Sequence, residues 1–89
     1  MISKTTRKFR RLLAALPADI RENANAAYLQ FANNPSHPSL RFKKVHSKEP
    51  IFSARVNADY RAVGIVDDGT IVWFWIGKHS DYEKLLKNW

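Results

Sequence analysis

The apolar residues of this chain change period once. Before the polar segment Asn33-Asn34-Pro35-Ser36-His37-Pro38-Ser39 they recur at helical spacing, and after it they alternate as strands do, up to Gly77. That single switch fixes the order of elements as helices first and sheet second. Phe9, Leu12, Leu13 and Leu16 fall at i, i+3, i+4 and i+7, so they form the inner stripe of a first helix capped by Ser3. Lys4, Arg7, Lys8, Arg10 and Arg11 fill its remaining surface. Pro17 ends that helix and opens a second, with Asp19 and Glu22 in its first turn and Ile20, Ala24, Ala27, Tyr28 and Phe31 on one stripe up to about Ala32. A link this short predicts an antiparallel helix hairpin.

Beyond the switch, four segments rich in Val, Ile and aromatic residues are expected as strands: Leu40 to Val45, Ile51 to Val56, Tyr60 to Val66 and Thr70 to Ile76. Asp67-Asp68-Gly69 is the clearest hairpin turn among them. With a two-residue turn there and a tight turn at Asn57-Ala58-Asp59, Gly64 faces Trp73, Ala62 faces Trp75, Ala54 faces Ala62, and Arg55 faces Arg61. One face then carries small residues beside two tryptophans. The other carries Ile51, Val63, Ile65, Val72, Phe74 and Ile76. The helix hairpin covers one of these apolar faces and leaves the other as a groove or partner surface. Tyr82, Leu85 and Leu86 place a short final helix from about Ser80 to Asn88. The expected fold is α+β: an N-terminal antiparallel helix hairpin on a four-stranded antiparallel sheet, with a short C-terminal helix, in one domain spanning residues 1–89.

Charge narrows the partners. The chain carries +7 on 89 residues, and residues 1–48 hold ten basic and two acidic groups, whereas residues 49–89 hold five and six. An excess of +8 in one half points to a polyanion, RNA or DNA first and an acidic protein second. The chain has no cysteine, no apolar signal segment near its start and no run longer than Ile71 to Ile76 that would suit a bilayer, so a cytoplasmic protein without a membrane role is expected. His37, His46 and His79 lack any paired ligand spacing, and no metal or other cofactor is expected.

Two places hold candidate chemistry. Arg55 and Arg61, directly opposed on neighbouring strands, repel each other unless something negative lies between them, and a phosphate would satisfy both guanidinium forks. The plainer alternative is that one of them pairs with Asp59 or Glu49 at the surface. His79 follows Gly77-Lys78 at the end of the last strand, three residues before Tyr82, which puts the two on one side of a helix. Either His79 moves protons at neutral pH, or it caps the helix while Tyr82 packs. Lys43 and Lys44 point to opposite faces of the first strand. Arg41 and Lys43 form a basic strip that, with the first helix, would track a nucleic-acid backbone, and Trp73, Trp75 and Trp89 are either base-stacking surfaces or core.

The order of elements, together with Arg55…Tyr60-Arg61 and Ile76-Gly77-Lys78-His79…Tyr82, resembles the RelE/ParE superfamily of type II toxin-antitoxin toxins. The resemblance covers nearly the whole chain. It implies a compact α+β toxin silenced by a cognate antitoxin. RelE-like members cut mRNA in the ribosomal A site, and ParE-like members inhibit DNA gyrase. The resemblance assigns Arg61 to the phosphate, His79 to acid/base transfer, and Tyr82 to stacking or shared proton transfer. Arg55, Lys43 and Lys44 would hold backbone, with Arg41 and Lys78 beside them. This sequence differs from the pattern in having a longer turn at Asn57-Ala58-Asp59, no lysine in Phe52-Ser53-Ala54, and an earlier tyrosine after Gly77.

Overall fold

The computed structural model describes all residues, 1–89. It contains a strand β1 (Ile2–Thr5), helices α1 (Arg7–Ala14) and α2 (Ala18–Asn33), a 3₁₀ turn (Pro38–Leu40), strands β2 (Lys43–Lys44), β3 (Ile51–Arg55), β4 (Tyr60–Asp67) and β5 (Thr70–Lys78), and helix α3 (His79–Lys87). The sheet is five-stranded in the order β1-β5-β4-β3-β2. It is mixed, because β1 runs parallel to β5 while the other pairs are antiparallel.

The fifth strand corrects the expected start of the chain. Residues 2–5 are not a helical turn capped by Ser3. They pair with β5, with Ile2 N–H donating to the Gly69 carbonyl and Thr6 N–H to the Trp73 carbonyl, both at 3.0 Å. The cap is Thr6, whose hydroxyl oxygen accepts the Phe9 N–H at 3.0 Å. The physical reason lies in β5: Ile71 to Ile76 is the most apolar strand, and an unpaired apolar edge is an aggregation hazard that β1 removes. The helices also differ from a mutually packed hairpin. Helix α1 lies chiefly on β5, and α2 reaches the core through Phe31 with Ala24 and Ala27 beside it. Between α2 and the sheet a cleft of about 340 Å³ remains, lined by Ala24, Ala27, Phe31 and Trp73 among others.

The expected first strand contracts to two residues. His37 Nδ1 accepts the Ser39 N–H, the chain turns through Pro38–Leu40, and Arg41 is left-handed with φ 43°. Leu40, expected in a strand, is instead a fully buried plug under α2.

Register holds in part. Asp68 and Gly69 both have positive φ and close the two-residue turn joining Asp67 to Thr70. Gly64 faces Trp73, Ala54 faces Ala62, and Arg55 faces Arg61, as expected. Ala62, however, faces Ile76, and Val63 takes Trp75, because Phe74 is an unpaired bulge residue. The bulge shifts the alternation by one. Ile71, Trp73 and Ile76 therefore share the α1/α2 side with Phe9, Phe31, Leu40, Ala54 and Ala62, while Trp75 moves to the other side and Phe74 stays there as expected. Gly64 sits beside the bulge because Ile71 and Trp73 crowd it: a Cβ there would lie 2.8 Å from Ile71 Cγ1. The second apolar face is not an open groove. Tyr82, Leu85 and Leu86 of α3 cover it, over Ile51, Val63 and Trp75.

Candidate nucleic-acid site

The site forms where β3, β4 and β5 reach the start of α3. Ala54 and Ala62 face the α1/α2 core, so strand alternation puts their neighbours Arg55 and Arg61 on the α3 side as a cross-strand pair. Arg61 in turn faces Gly77. Arg41, a left-handed residue ahead of β2 and outside its ladder, is near enough for its charge to act on Arg61. Arg55 and Arg61 thus form an arginine row across the sheet end, with Arg41 nearby and Lys43, opposite Ser53, on the same side.

Arg61 is held by the turn that precedes it. Its Nη1 donates to the carbonyls of Asn57 at 2.7 Å and Tyr60 at 2.9 Å. The Asn57 side-chain oxygen accepts the N–H of Asp59 at 2.8 Å and of Tyr60 at 3.0 Å, and its amide donates to Asn23 Oδ1 on α2 at 2.9 Å. The longer turn is therefore an ordered loop whose carbonyls anchor one edge of the guanidinium. Its Nε and Nη2 take no protein acceptor. Neither Arg55 nor Arg61 forms an ion pair with Asp59 or Glu49, since the pair of His79 with Glu83 is the one present. Burial first, then the charge of Arg55, with a smaller share from Arg41, push the Arg61 pKa below the ordinary arginine value. The guanidinium stays cationic at physiological pH. Asp59 and Tyr82 offset only part of these effects.

His79 opens α3. Its N–H donates to the Asp59 carbonyl at 2.7 Å, and its Nδ1 lies 3.0 Å from Glu83 Oε1 one turn on. The ring is 44% exposed, and its Nε2 has no partner in the chain. Tyr82 sits 5.7 Å away between ring centroids, but it is buried, and its hydroxyl donates to Ser53 Oγ at 3.0 Å. The strand without a lysine thus supplies a serine that anchors α3. Ser53→Ala is expected to lower stability by about 1–3 kcal/mol by orphaning that buried hydroxyl. The Ser53→Ala/Tyr82→Phe double variant, with no orphan, should recover most of the loss in thermal denaturation.

Gly77 is required by Trp75. A Cβ at Gly77 would lie 2.8 Å from the six-membered ring of Trp75, so the indole lies over the glycine beside Arg61. Trp75 is half-buried at 6.5 Å from Tyr82, whereas Trp73 is core and Trp89 packs near Phe74 and His46.

The structure thus brings together Arg41, Lys43, Arg55, Arg61, His79 and Tyr82. Lys44, opposite Phe52, and Lys78, one residue past Gly77, fall on the other side by alternation. The first helix also lies on that other side, so it does not extend the Arg41–Lys43 strip into one track. His37 and His46 are occupied locally, each accepting backbone N–H groups of its own turn. Sequence reasoning missed Ser53, Asn57 and Glu83. A serine at an inward position of an apolar strand, and an acidic residue four after His79, were the signals available.

A family model described as ParE-like toxin domain matches residues 18–84. Among solved structures, the chain is similar to the RelB-RelE antitoxin-toxin complex from Methanococcus jannaschii, at 18% identity and TM-score 0.74, covering 92% of this chain and 96% of that one. It is also similar to the YoeB/ParE toxin from Agrobacterium tumefaciens, at 15% identity and TM-score 0.70 over 89% and 99%. The RelBE2 toxin-antitoxin complex from Mycobacterium tuberculosis is 30% identical, at TM-score 0.60 over 88% and 96%. No curated protein matches the sequence. No helix is long and apolar enough to cross a membrane.

Proposed function

Because the chain belongs to the ParE-like toxin domain family, within the RelE/ParE superfamily, we propose that it is the toxin of a type II toxin-antitoxin pair and cuts ribosome-bound mRNA. The observation that carries the chemistry is Arg61, with one edge fixed by backbone carbonyls and the other free, beside a histidine with a free Nε2. In the reaction, a ribose 2′-oxygen attacks the adjacent phosphorus while the bond from phosphorus to the 5′-oxygen breaks. The products are a 2′,3′-cyclic phosphate and a 5′-hydroxyl, and no redox partner is needed. Arg61, with Arg55, stabilises the negative charge that grows on the phosphoryl oxygens. His79 exchanges the proton with the 2′- or 5′-oxygen, and Glu83 on Nδ1 leaves Nε2 turned to that task. Tyr82 holds α3 against the sheet between them. Arg41 and Lys43 extend the backbone grip. An acid-rich antitoxin segment would silence the site, in keeping with the antitoxin bound to the M. jannaschii relative. The protein would act in the cytoplasm.

A gyrase-directed toxin is the second reading, favoured by the ParE-like family model and by the engagement of the Tyr82 hydroxyl with Ser53. One experiment separates them. After induction in cells, primer extension should show codon-phased mRNA 5′ ends, and these should be lost with His79→Ala. DNA breaks without such ends would overturn the nuclease reading, and unchanged ends in the His79 variant would remove that residue from the mechanism.

A further inference from the structure

Arg61 is fixed from a distance as well as from its own strand. Its Nη1 is held by the carbonyls of Asn57 and Tyr60, so its position is only as firm as the Asn57-Ala58-Asp59 turn. The Tyr60 carbonyl also accepts the Val56 N–H at 3.0 Å, which closes that turn onto β4. Within it, the Asn57 side chain is committed at both ends. Its Oδ1 accepts the N–H groups of Asp59 and Tyr60, so the amide nitrogen is the end turned toward α2, where it donates to Asn23 Oδ1 at 2.9 Å. The atom of Asn23 that meets it must be an acceptor. This is the one side-chain hydrogen bond from α2 to the sheet or its turns, and it crosses 34 positions of sequence.

Packing does not set the distance between the turn and the helix. Phe31 seats the far end of α2 in the core, but toward Asn23 the cleft reaches Ala24, Arg55 and Val56, so the turn is not closely packed against the helix there. The amide bridge spans that gap. Asn23 does little for the helix itself, because it is exposed within α2, where asparagine is a poorer helix former than alanine. Precision matters at the other end of the path. A guanidinium that stabilises a developing charge has to stay near its productive position, since a displacement on the order of 1 Å can cost about 100-fold in rate. From α2 to Arg61 the path is short: one hydrogen bond from Asn23 to the Asn57 amide, and one from the Asn57 carbonyl to Nη1.

We propose that Asn23 and Asn57 are positioning residues for Arg61: their amide bridge ties the turn to α2 and so holds the guanidinium with its free edge turned to the phosphate. The effect on rate rests on the reading of the chain as an mRNA-cleaving toxin, whereas the positioning of Arg61 does not. Asn23→Ala removes the acceptor, Asn23→Asp keeps it, and neither alters the arginine row. In ribosome-dependent cleavage by the full chain, Asn23→Ala should lower kcat by about tenfold with KM unchanged, because Arg41 and Lys43 still hold the RNA. Asn23→Asp should stay within about twofold of wild type. The melting temperature of Asn23→Ala should stay close to that of wild type, since the helix propensity of alanine offsets the loss of one exposed hydrogen bond. Nitrogen NMR of the labelled protein reads the guanidinium without any substrate. There the two Nη groups of Arg61 should exchange with each other faster in Asn23→Ala than in wild type or Asn23→Asp. Unchanged exchange in Asn23→Ala, equal losses of cleavage in Asn23→Ala and Asn23→Asp, or a loss that tracks a fall in melting temperature would each overturn the proposal. If the wild type cleaves no message, the cleavage reading fails, and the exchange rates alone decide whether Asn23 positions Arg61.

Discussion

Arg61→Ala is expected to lower ribosome-dependent mRNA cleavage by on the order of 10²–10³, the usual consequence of removing one preorganised donor from a developing oxyanion. The loss should be chemical, with folding unaffected. Burial and Arg55 both disfavour the charged form of Arg61, so removing that charge relieves repulsion within the native state. The hydrogen bonds given up join Nη1 to carbonyls of a turn that Asn57 also closes. Arg61→Lys should recover little, because an ammonium keeps the charge and lacks the fork that reaches both turn and phosphate. Quantitative primer extension on ribosome-bound message, set beside melting temperatures, reads both effects. Wild-type cleavage by Arg61→Ala would dismiss the oxyanion role. Lost cleavage with a collapsed melting temperature would mark Arg61 as a structural residue.

Phe31→Ala should produce the opposite pattern: loss of function through loss of fold. Phe31 is buried to 2% exposure, and its ring meets Phe42 at 5.0 Å and Trp73 at 5.4 Å in edge-to-face contacts. The other residues of α2 in this core are Ala24 and Ala27, so the helix puts no second large side chain there. The expected cost is about 3–5 kcal/mol, in a chain whose total stability is on the order of 5–15 kcal/mol. At roughly 4–8 °C per kcal/mol, the melting temperature should fall by more than about 12 °C. A fall of only a few degrees would show that α2 is held by contacts other than this ring.

Much of this was legible in the residues. The Arg55–Arg61 pairing follows from counting outward from the Asn57-Ala58-Asp59 turn, because antiparallel register is set by the turn. Two features defeated that counting. Phe74 is a bulge, and nothing in Val-Trp-Phe-Trp-Ile distinguishes a bulged aromatic from a paired one, so Trp75 and Ile76 were assigned to the wrong sides. Ile2 to Thr5 was read as the entry to a helix, because four residues are too few to show a period and their partner, β5, lies some seventy positions away. The site was legible as residue types and illegible as contacts. His79 and Tyr82 stood out, but the hydrogen bond from Tyr82 to Ser53 spans 29 positions.

The sequence by itself determined the kind and order of most elements, the opposed arginines, the excess of positive charge and the superfamily resemblance. These depend on periodicity, turn chemistry and composition, which act within a few neighbouring residues. Only the tertiary structure decided that β1 completes the sheet, that α3 covers the second apolar face, and that the basic helix and the arginine row lie on opposite sides. Those outcomes depend on which distant surfaces bury one another, and a one-residue bulge is enough to exchange the sides.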